Sequence, residues 1–439
     1  MKVGVIGGGV AGLTAAYELT KMGHRVEVFE KAPVLGGQAA TFSMGGVPLE
    51  RMYHHIFLSD RHVVGLMEEL GQEDRLRWID SRVGLFCAGR IWDWVTPMDL
   101  LRFKPISLWD RLRLGLVTLY LQRSSNWRRF ESVTAEEWLP RYVGRRAYEA
   151  VWEPLLRGKF GDHYSEVGMT WLWGKIRLRV ASRGRGMQRE KLGYPEDSFQ
   201  PLFDELSRRI IEGGGKVHTS APVSRVDVED GRVVGLSVDL PGQGAMSQPF
   251  DAVVATIPSF EFLRIVDGLP SDYMEKLSSV RYLAALVLVL VLDRRFMPVY
   301  WLNIADRSIP FVGTIEHTNF MPPEHYGGRH IVYVSNYLRR ENPLYAMTAE
   351  ELLEVYAPHL RKINAAFDRE WVRESYLFRE EAAQPLITTD YSQRIPDHHT
   401  PVQGLYLANT TQIYPEDRGV NYSVRLGKEA AALLARDLA

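Results

Sequence analysis

Three glycines near the N-terminus have the spacing of a dinucleotide-binding turn. Gly7, Gly9 and Gly12 follow a short apolar stretch, Lys2 to Ile6, and precede a segment of helical composition. In such a unit the first glycine permits a tight turn, and the second lets the backbone approach a pyrophosphate. The third lets the helix pack closely on the strand. The spacing therefore predicts a binding site for a nucleotide cofactor.

An acidic residue follows at a suitable distance. Arg25 to Phe29 indicates a second strand, and Glu30 comes directly after it, 18 residues beyond Gly12. A carboxylate there accepts hydrogen bonds from a ribose, while the amides at the helix start favour the phosphate charge. The predicted site therefore also contains Val10, Ala11, Glu30 and the adjoining Lys31.

A second glycine pair, Gly36-Gly37, follows and continues into Gln38-Ala39-Ala40-Thr41. With the first motif, this segment resembles the FAD-dependent superfamily of amine oxidases, protoporphyrinogen oxidases and phytoene desaturases, most nearly its protoporphyrinogen-oxidase-like members. The resemblance implies that Gly36, Gly37, Gln38 and Thr41 lie along FAD. Those proteins commonly have Arg where this chain has Gln38, so no charged contact is implied there. Together the two motifs favour FAD over NAD.

The C-terminal segment has the strand, loop and helix order that closes a flavin domain in that superfamily. Residues 404–409 predict a strand, and a helix is predicted from about Ser423 to the end. A helix start beside the flavin pyrimidine would stabilise negative charge on the reduced ring. The resemblance assigns these further residues to the cofactor site: Asn409, Gly419, Val420, Asn421 and, near the adenine, Val223.

The predicted fold class is α/β, with a Rossmann-type FAD-binding domain of the glutathione-reductase kind and a discontinuous α+β substrate domain. The longest apolar run, Leu283 to Leu292, is too short to span a bilayer as a helix and indicates a buried strand. The predicted FAD-binding domain comprises residues 1–60, 200–265 and 395–439. The predicted substrate domain comprises 61–199 and 266–394, with a Trp- and Arg-rich helical part at 85–190.

Positive charge and tryptophan are concentrated in the middle of a chain whose total charge is −1. Residues 101–189 carry 18 Lys and Arg against 8 Asp and Glu, and nine of the eleven tryptophans fall between Trp78 and Trp173. Three interpretations remain open for this block. It is a peripheral membrane contact, the lip of a site for a large acidic or aromatic substrate, or an aromatic helical core with solvated arginines. Nucleic acid is not expected as a partner.

Several polar residues are candidates for a substrate cavity. His54 and His55 follow the second glycine pair, at a position that in the superfamily often enters the cavity. Adjacent histidines diverge and make a poor metal pair, so no metal is predicted. A structural histidine would explain either residue equally well. Glu316, His317 and Tyr337 stand at predicted strand ends, where ordinary turns are the alternative, and Tyr414 lies near the C-terminus. The full candidate set is His54, His55, Glu316, His317, Tyr337 and Tyr414, and no catalytic residue is assigned.

These observations predict an FAD-dependent oxidoreductase that dehydrogenates a bulky small-molecule substrate by hydride transfer to flavin N5. The single cysteine, Cys87, excludes an internal disulfide, and no thiol is placed to bond the cofactor, so FAD is expected to be non-covalent. One alternative is a flavin-dependent mutase of the UDP-galactopyranose mutase type. Another is a non-catalytic FAD-binding scaffold or membrane-docking protein. Without a secretory signal, we expect a cytoplasmic protein, with membrane association left open and no oligomeric state predicted.

Overall fold

The computed structural model describes residues 1–94, 96–181 and 190–437, without the side chains of 178–181. It is a mixed α/β structure, which confirms the predicted class. The strands are β1 Lys2–Ile6, β2 Arg25–Phe29, β3 Thr41–Met44, β4 Val47–Glu50, β5 Ile56–Phe57, β6 Leu76–Asp80, β7 Val83–Cys87, β8 Arg90–Asp93, β9 Lys191–Pro195, β10 Lys216–His218, β11 Val223–Glu229, β12 Arg232–Leu240, β13 Gly244–Pro249, β14 Ala252–Ala255, β15 Tyr282–Leu292, β16 Trp301–Ile304, β17 Gly313–Glu316, β18 His330–Leu338, β19 Val372–Pro385 and β20 Leu405–Leu407. The α-helices are α1 Val10–Lys21, α2 Arg61–Glu69, α3 Pro97–Arg102, α4 Leu108–Arg123, α5 Ala135–Val143, α6 Arg145–Ala147, α7 Glu153–Phe160, α8 Met169–Ala181, α9 Gln200–Glu212, α10 Ser259–Ile265, α11 Ser271–Ser278, α12 Pro343–Ala346, α13 Ala349–Ile363 and α14 Val420–Asp437.

A five-stranded parallel sheet, in the order β10-β2-β1-β14-β20, combines strands from distant parts of the chain. Its central strands are buried, as expected where helices cover both faces of a parallel sheet. Ile6 pairs with both Phe29 and Ala255, so the residues that follow these three strands emerge side by side. Parallel α/β sheets bind ligands at this carboxyl edge. The glycine turn and Glu30 are therefore neighbours.

A seven-stranded mixed sheet, in the order β19-β15-β18-β17-β16-β7-β8, is the second main layer. The Leu and Val residues that alternate along β15 are all buried. The valines join one hydrophobic core and the leucines join another, because successive side chains point to opposite faces of a strand. The run is therefore a buried strand, as predicted, and it lies between β19 and β18 in the sheet.

The Trp- and Arg-rich part is helical from α3 to α8. Residues 83–93, which the prediction assigned in part to this helical segment, instead form strands β7 and β8 at the edge of the seven-stranded sheet. Trp138, Trp171 and Trp173 are buried in the core of the helical part, whereas Trp109 is 74% exposed. The segment thus contains an aromatic core and also an exposed apolar surface. Residues 182–189 of the basic block lie outside the described residues.

The last helix begins earlier than predicted. α14 starts at Val420 rather than near Ser423, because the carbonyl of Gly419 already accepts a hydrogen bond from the Ser423 amide at 3.0 Å. Val420 and Asn421 consequently lie in its first turn, where backbone amides are not used within the helix. Among the described helices, none is both long enough and apolar enough to cross a membrane.

Candidate functional site

The glycine turn after β1 has the geometry that its sequence predicts. Gly7 has a φ of +106°, which side-chain-bearing residues rarely adopt, and its amide donates to the Phe29 carbonyl at 2.9 Å. A Cβ on Gly12 would lie 1.9 Å from the Gly7 oxygen, so α1 can pack on the turn only with glycine there. By contrast, a Cβ on Gly9 would meet no atom closer than 3.7 Å. The space beside Gly9 is therefore available to a ligand.

The second glycine pair packs against the first. The Gly36 amide donates to the Gly8 carbonyl at 2.9 Å, and a Cβ on Gly37 would lie 3.0 Å from the Gly9 Cα atom. Gly36 and Gly37 both have positive φ, +106° and +58°. The two motifs consequently form one continuous backbone surface without side chains. Such a surface lets a phosphate or a ring approach the backbone closely.

Glu30 holds the turn in place. Its carboxylate is buried and accepts the Gly8 and Ala32 amides, each at 2.7 Å. Each carboxylate oxygen has further acceptor capacity, so ribose hydroxyls remain possible donors. The neighbouring Lys31 points outward, where its ammonium group lies 3.2 Å from a Glu261 oxygen and its side chain is 69% exposed.

Three other predicted cofactor residues make side-chain hydrogen bonds to neighbouring elements of the fold. Gln38 donates to the Ala382 carbonyl at 2.8 Å, and Thr41 donates to Gln200 at 2.6 Å. The Asn409 amide group donates to the Ile257 carbonyl at 3.0 Å. These contacts tie the glycine segment and the C-terminal loop to neighbouring elements.

The start of α14 is fixed by a long-range contact. The Asn421 side-chain oxygen accepts the amides of His62 at 2.9 Å and Val63 at 3.2 Å, which satisfies the first turn of α2. A Cβ on Gly419 would meet no atom within 4 Å. The backbone at the start of α14 thus faces open space.

Val223, the residue predicted to lie near the adenine, begins β11, in a separate three-stranded antiparallel sheet.

A cavity of about 520 Å³ lies between the start of α14, the seven-stranded sheet and the helical part. Along β15 and β18, Ala285 pairs with Tyr337 and Val287 pairs with Ser335, and all four line the cavity. They lie on one face of the sheet because their positions differ by two within each strand. The sheet therefore provides one wall of the cavity, and side chains of the helices line the rest.

Arg418 is the main cationic group at this wall. Its Nη2 atom donates to the Tyr337 hydroxyl at 2.8 Å, while its Nε atom is buried without a hydrogen-bond partner. Burial opposes the charge, but Tyr337 and the adjacent Asp417 hold the pKa of Arg418 above its ordinary value. A buried unpaired donor is costly, so this atom is suited to an acceptor on a bound molecule.

Asp417 has the opposite charge but several partners. Its carboxylate pairs with Lys175, lies 3.4 Å from the Lys159 ammonium group, and accepts the Trp171 indole N–H at 3.0 Å. Burial alone would raise its pKa, yet the two lysines and Arg418 hold the pKa of Asp417 well below its usual range. Asp417 is therefore ionised and neutralises part of the surrounding positive charge.

His54 lines the cavity as a neutral ring. Its Nδ1 atom is 2.6 Å from the Met52 carbonyl oxygen, which can only accept, so Nδ1 bears the proton and Nε2 is an acceptor. Burial lowers the pKa of His54 to about 4, and the nearby Arg418 acts in the same direction. His55 also lines the cavity, with Nδ1 3.3 Å from the Tyr300 hydroxyl.

Three of the six predicted cavity residues line this cavity: His54, His55 and Tyr337. The other three, Glu316, His317 and Tyr414, lie outside its wall. Glu316 is on the face of β17 opposite Gly313, and it accepts the Phe296 amide at 3.1 Å.

The other two are also held elsewhere. His317 lies 2.6 Å from the Tyr326 hydroxyl through Nε2, and burial lowers its pKa to about 3. Tyr414 packs on Trp127 and Tyr391, with ring centroids 5.1 and 5.4 Å away. Both therefore belong to packed interior networks.

Sequence reasoning missed Arg418, Asp417 and Tyr53. Burial raises the pKa of Tyr53 well above its ordinary value, so this cavity residue stays protonated. Arg418 and Asp417 could have been found from the sequence, because they form a charged pair directly before the predicted C-terminal helix. Among the described residues, no group of three or more His, Cys, Asp or Glu side chains is arranged to hold a metal ion.

The residues present fit a flavin dinucleotide. The glycine surface near Gly9 and Gly37 and the open space at Gly419 leave room for it beside a buried donor on Arg418. The sequence pattern of the flavin containing amine oxidoreductase family matches residues 10–435, and the chain belongs to that family. This membership confirms the predicted resemblance, the FAD cofactor and the class of FAD-dependent oxidoreductases.

Individual relatives differ in what they act on. The chain is 28% identical to the flavin-dependent L-tryptophan oxidase RebO of Lentzea aerocolonigenes, over 65% of this chain and 64% of RebO. It is 26% identical to the chloroplastic protoporphyrinogen oxidase of Oryza sativa subsp. japonica, over 82% of this chain and 74% of that protein. The chain thus spans less than two thirds of the length of RebO.

Solved structures show the shared fold. Cyclohexylamine oxidase from Brevibacterium oxydans superposes with a TM-score of 0.74 at 16% identity, covering 100% of this chain and 99% of that one. Reduced UDP-galactopyranose mutase superposes with a TM-score of 0.75 at 14% identity, covering 100% and 96%. Since an oxidase and a mutase superpose equally well, the fold alone does not select the reaction.

Proposed function

We propose that this protein dehydrogenates a bulky small-molecule substrate in the cavity, in the manner of protoporphyrinogen-oxidase-like enzymes. The observation that carries the proposal is the composition of one cavity wall, which joins the start of α14 at Gly419 to the Arg418–Tyr337 pair and the sheet. When bound there, FAD would accept a hydride from a substrate C–H bond at N5. The protein has to hold the cofactor, orient the substrate and exclude water.

Cofactor binding falls to the residues around the parallel sheet. The Gly7–Gly12 turn, with the amides of Val10 and Ala11, would hold the pyrophosphate, and Glu30 would accept ribose hydroxyls. The amides of Gly419, Val420 and Asn421 would face the flavin. We assign residues 1–60, 200–265 and 395–439 to this domain, since all five parallel strands come from these ranges. Residues 61–199 and 266–394 would form the substrate domain, which supplies all seven strands of the mixed sheet.

Arg418 would orient the substrate. Its guanidinium is positioned by Tyr337, and its free Nε donor suits a carboxylate or carbonyl oxygen. A protonated amine would instead meet a like charge. This feature favours an anionic or acceptor-bearing substrate, such as a porphyrinogen, over a simple amine.

The apolar part of the cavity would hold the body of the substrate and exclude water. Trp94, Leu100, Trp152, Leu155 and Trp301 contribute aromatic and aliphatic surface to its lining. Such surface favours burial of a large apolar ligand, while a few polar groups fix its orientation. The neutral His54 would add one acceptor to this polar set.

Anaerobic reduction of the bound flavin tests the proposal. Purified holoprotein is mixed without oxygen with protoporphyrinogen, coproporphyrinogen, phytoene, L-tryptophan and cyclohexylamine in turn. We expect a porphyrinogen to bleach the oxidised-flavin absorbance, with one two-electron oxidation of the substrate for each flavin reduced. Tightly bound flavin that no member of this panel reduces would point to a non-catalytic scaffold.

A mutase remains the second candidate because Lys159, Lys175 and Arg418 all line the cavity and could contact a diphosphate. Asp417 already pairs with both lysines, which weakens this argument. A mutase would convert UDP-galactopyranose only after chemical reduction of its flavin. That result, together with no flavin reduction by the substrate panel, would replace the dehydrogenase proposal.

A further inference from the structure

Helices α3 and α4 both present exposed apolar side chains to solvent, and we call this surface the α3–α4 face. At 100° per residue, the six exposed apolar side chains of α4 fall within an arc of about 120°. α3 adds two more at its own outer side. The members and their exposed fractions are Met98 46%, Leu101 37%, Leu108 58%, Trp109 74%, Leu112 44%, Leu116 68%, Leu119 45% and Tyr120 46%.

The opposite side of α4 is already packed. Leu114 and Leu121 are 2% and 1% exposed and belong to the core of the helical part, with Phe130 and Leu139. α4 therefore carries apolar side chains on two opposite sides, and only one of these sides is packed. Single exposed leucines are ordinary, but a contiguous stripe of this size marks an interaction surface. Among the described residues, none covers the stripe.

Basic residues border this face. Residues 97–123 contain five basic side chains and two acidic ones, a net charge of +3. Arg111 donates to the carbonyls of Leu101 and Ile106, and Arg113 donates to those of Arg141 and Tyr142. Bonds to neutral carbonyls hold the guanidinium groups in place without neutralising them.

The other charged residues of this segment also leave its positive charge without a neutralising partner. Arg102, Lys104 and Arg123 are exposed, and in the described part of the chain none of them lies within salt-bridge distance of a carboxylate. The two acidic residues, Asp99 and Asp110, instead accept backbone amides or hydroxyls at the starts of α3 and α4. An apolar stripe with Trp and Tyr, bordered by uncompensated positive charge, complements an anionic amphipathic surface.

The same helices also form part of the cavity wall. Leu100 of α3 and Leu114, Thr118 and Gln122 of α4 line the cavity on their inner side. Leu119 both lines the cavity and is 45% exposed on the face. The cavity therefore reaches the edge of the α3–α4 face.

We propose that the α3–α4 face docks on an anionic lipid bilayer, with Trp109, Leu112 and Leu116 inserted at the headgroup level. The inference concerns binding alone and does not depend on which reaction the cavity supports. A second copy of the chain is a poorer occupant, because a two-fold interface would place the same basic residues against each other. Docking would place the cavity edge at Leu119 next to the apolar layer of the membrane.

Flotation of the holoprotein with vesicles tests this proposal. Pure phosphatidylcholine vesicles are compared with vesicles that also contain phosphatidylglycerol, at low and high salt. We expect the wild-type protein to float with the anionic vesicles and to be released by salt, since surface attraction is screened. The double variant Trp109→Glu/Leu116→Glu is expected to lower the vesicle-bound fraction about tenfold or more.

Matched controls separate docking from misfolding. Ile211→Glu adds the same charge to another exposed apolar residue, 54% exposed on α9, and should leave binding unchanged. Arg102→Gln/Lys104→Gln alters only polar surface and should weaken binding to anionic vesicles about tenfold or more. Bound flavin and thermal unfolding report whether each variant is folded.

Three outcomes would overturn the proposal. In the first, folded wild-type protein floats with neither vesicle. In the second, it floats equally with both and is insensitive to salt, so anionic lipid is not recognised. In the third, sedimentation without lipid shows a dimer that Trp109→Glu/Leu116→Glu abolishes, while vesicles bind nothing. The face would then be an interface between copies of the chain.

Discussion

The guanidinium group of Arg418 donates a hydrogen bond of 2.8 Å to the hydroxyl of Tyr337, linking the start of α14 to β18 across 81 residues of sequence. This contact places a positive charge at the wall where the proposed cofactor and substrate would meet. It also leaves the Arg418 Nε atom buried without a partner. The pair therefore gives the cavity its clearest means of recognising a polar group.

Removal of the Arg418 charge should impair substrate binding more than cofactor binding. For Arg418→Gln we expect kcat/KM with the identified substrate to fall by about 10- to 100-fold, the loss of a charge-assisted hydrogen bond. FAD content should stay within error of wild type. Arg264→Gln, at a residue 72% exposed, is the matched control and should be unaffected. Unchanged kinetics in Arg418→Gln would remove this residue from the site.

Asp417 should matter chiefly for stability. In Asp417→Asn the charges of Lys159 and Lys175 lose their buried partner, while the Trp171 N–H can still donate to the amide oxygen. Both lysines are partly exposed, 19% and 33%, so we expect a loss of about 2–3 kcal/mol in the free energy of unfolding. Urea unfolding of the variant and the wild type measures this loss. Wild-type stability in this variant would show that the ion pairs are not formed.

Two alanine substitutions should separate folding from cofactor binding. A Cβ on Gly12 would collide with the Gly7 carbonyl, so Gly12→Ala should lower apoprotein stability by about 1–3 kcal/mol and reduce FAD binding as well. Gly9 has a φ of −75°, which alanine tolerates, and open space beside it. Gly9→Ala should therefore weaken FAD binding while the apoprotein unfolds as wild type. Equal FAD affinity in Gly9→Ala would mean that the pyrophosphate lies elsewhere.

Glu50 should make stability depend on pH. Burial, opposed by hydrogen bonds from Tyr194 and the Phe199 amide, raises the pKa of Glu50 from 4.5 to about 7. The folded chain therefore binds this proton more tightly than the unfolded chain. The resulting stabilisation is complete below pH 4.5 and is lost as the pH rises to about 7.

Glu50→Gln lacks this titration. The free energy of unfolding of Glu50→Gln minus that of wild type should rise by about 1–3 kcal/mol between the acidic and neutral ends of this range. Taking this difference cancels the contributions that other titrating groups, such as His54 and His317, make to the pH dependence of stability. Urea unfolding of the apoproteins at each pH measures it, with Glu350→Gln, at a residue 85% exposed, as control. A difference that is flat with pH would contradict the raised pKa.

The local geometry of the glycine turn could be predicted from sequence, and the long-range contacts around the cavity could not. Gly9 and Glu30 belong to one strand–turn–helix–strand unit, so spacing within 30 residues was sufficient. The meeting of Arg418 with Tyr337 depends on how a helix start docks on a distant sheet. Glu316 was misplaced because β17 has two buried faces, and an apolar pattern does not show which one borders the cavity.

Helix boundaries show the same limit. The start of α14 depends on Asn421, whose side chain contacts the His62 amide 359 residues away. Exposure of the α3–α4 face was also hidden, since composition does not tell an outer leucine such as Leu116 from an inner one such as Leu114.

The most direct test of the proposed reaction is the anaerobic mixing of oxidised holoprotein with a porphyrinogen. The proposal predicts that the flavin absorbance bleaches without any added reductant. Because each flavin accepts two electrons and full oxidation of a porphyrinogen releases six, about one porphyrin should form for every three flavins reduced. Reoxidation by oxygen or a quinone should then restore the original spectrum. A flavin that stays oxidised with every reduced substrate, while the prereduced protein isomerises a sugar nucleotide, would contradict it.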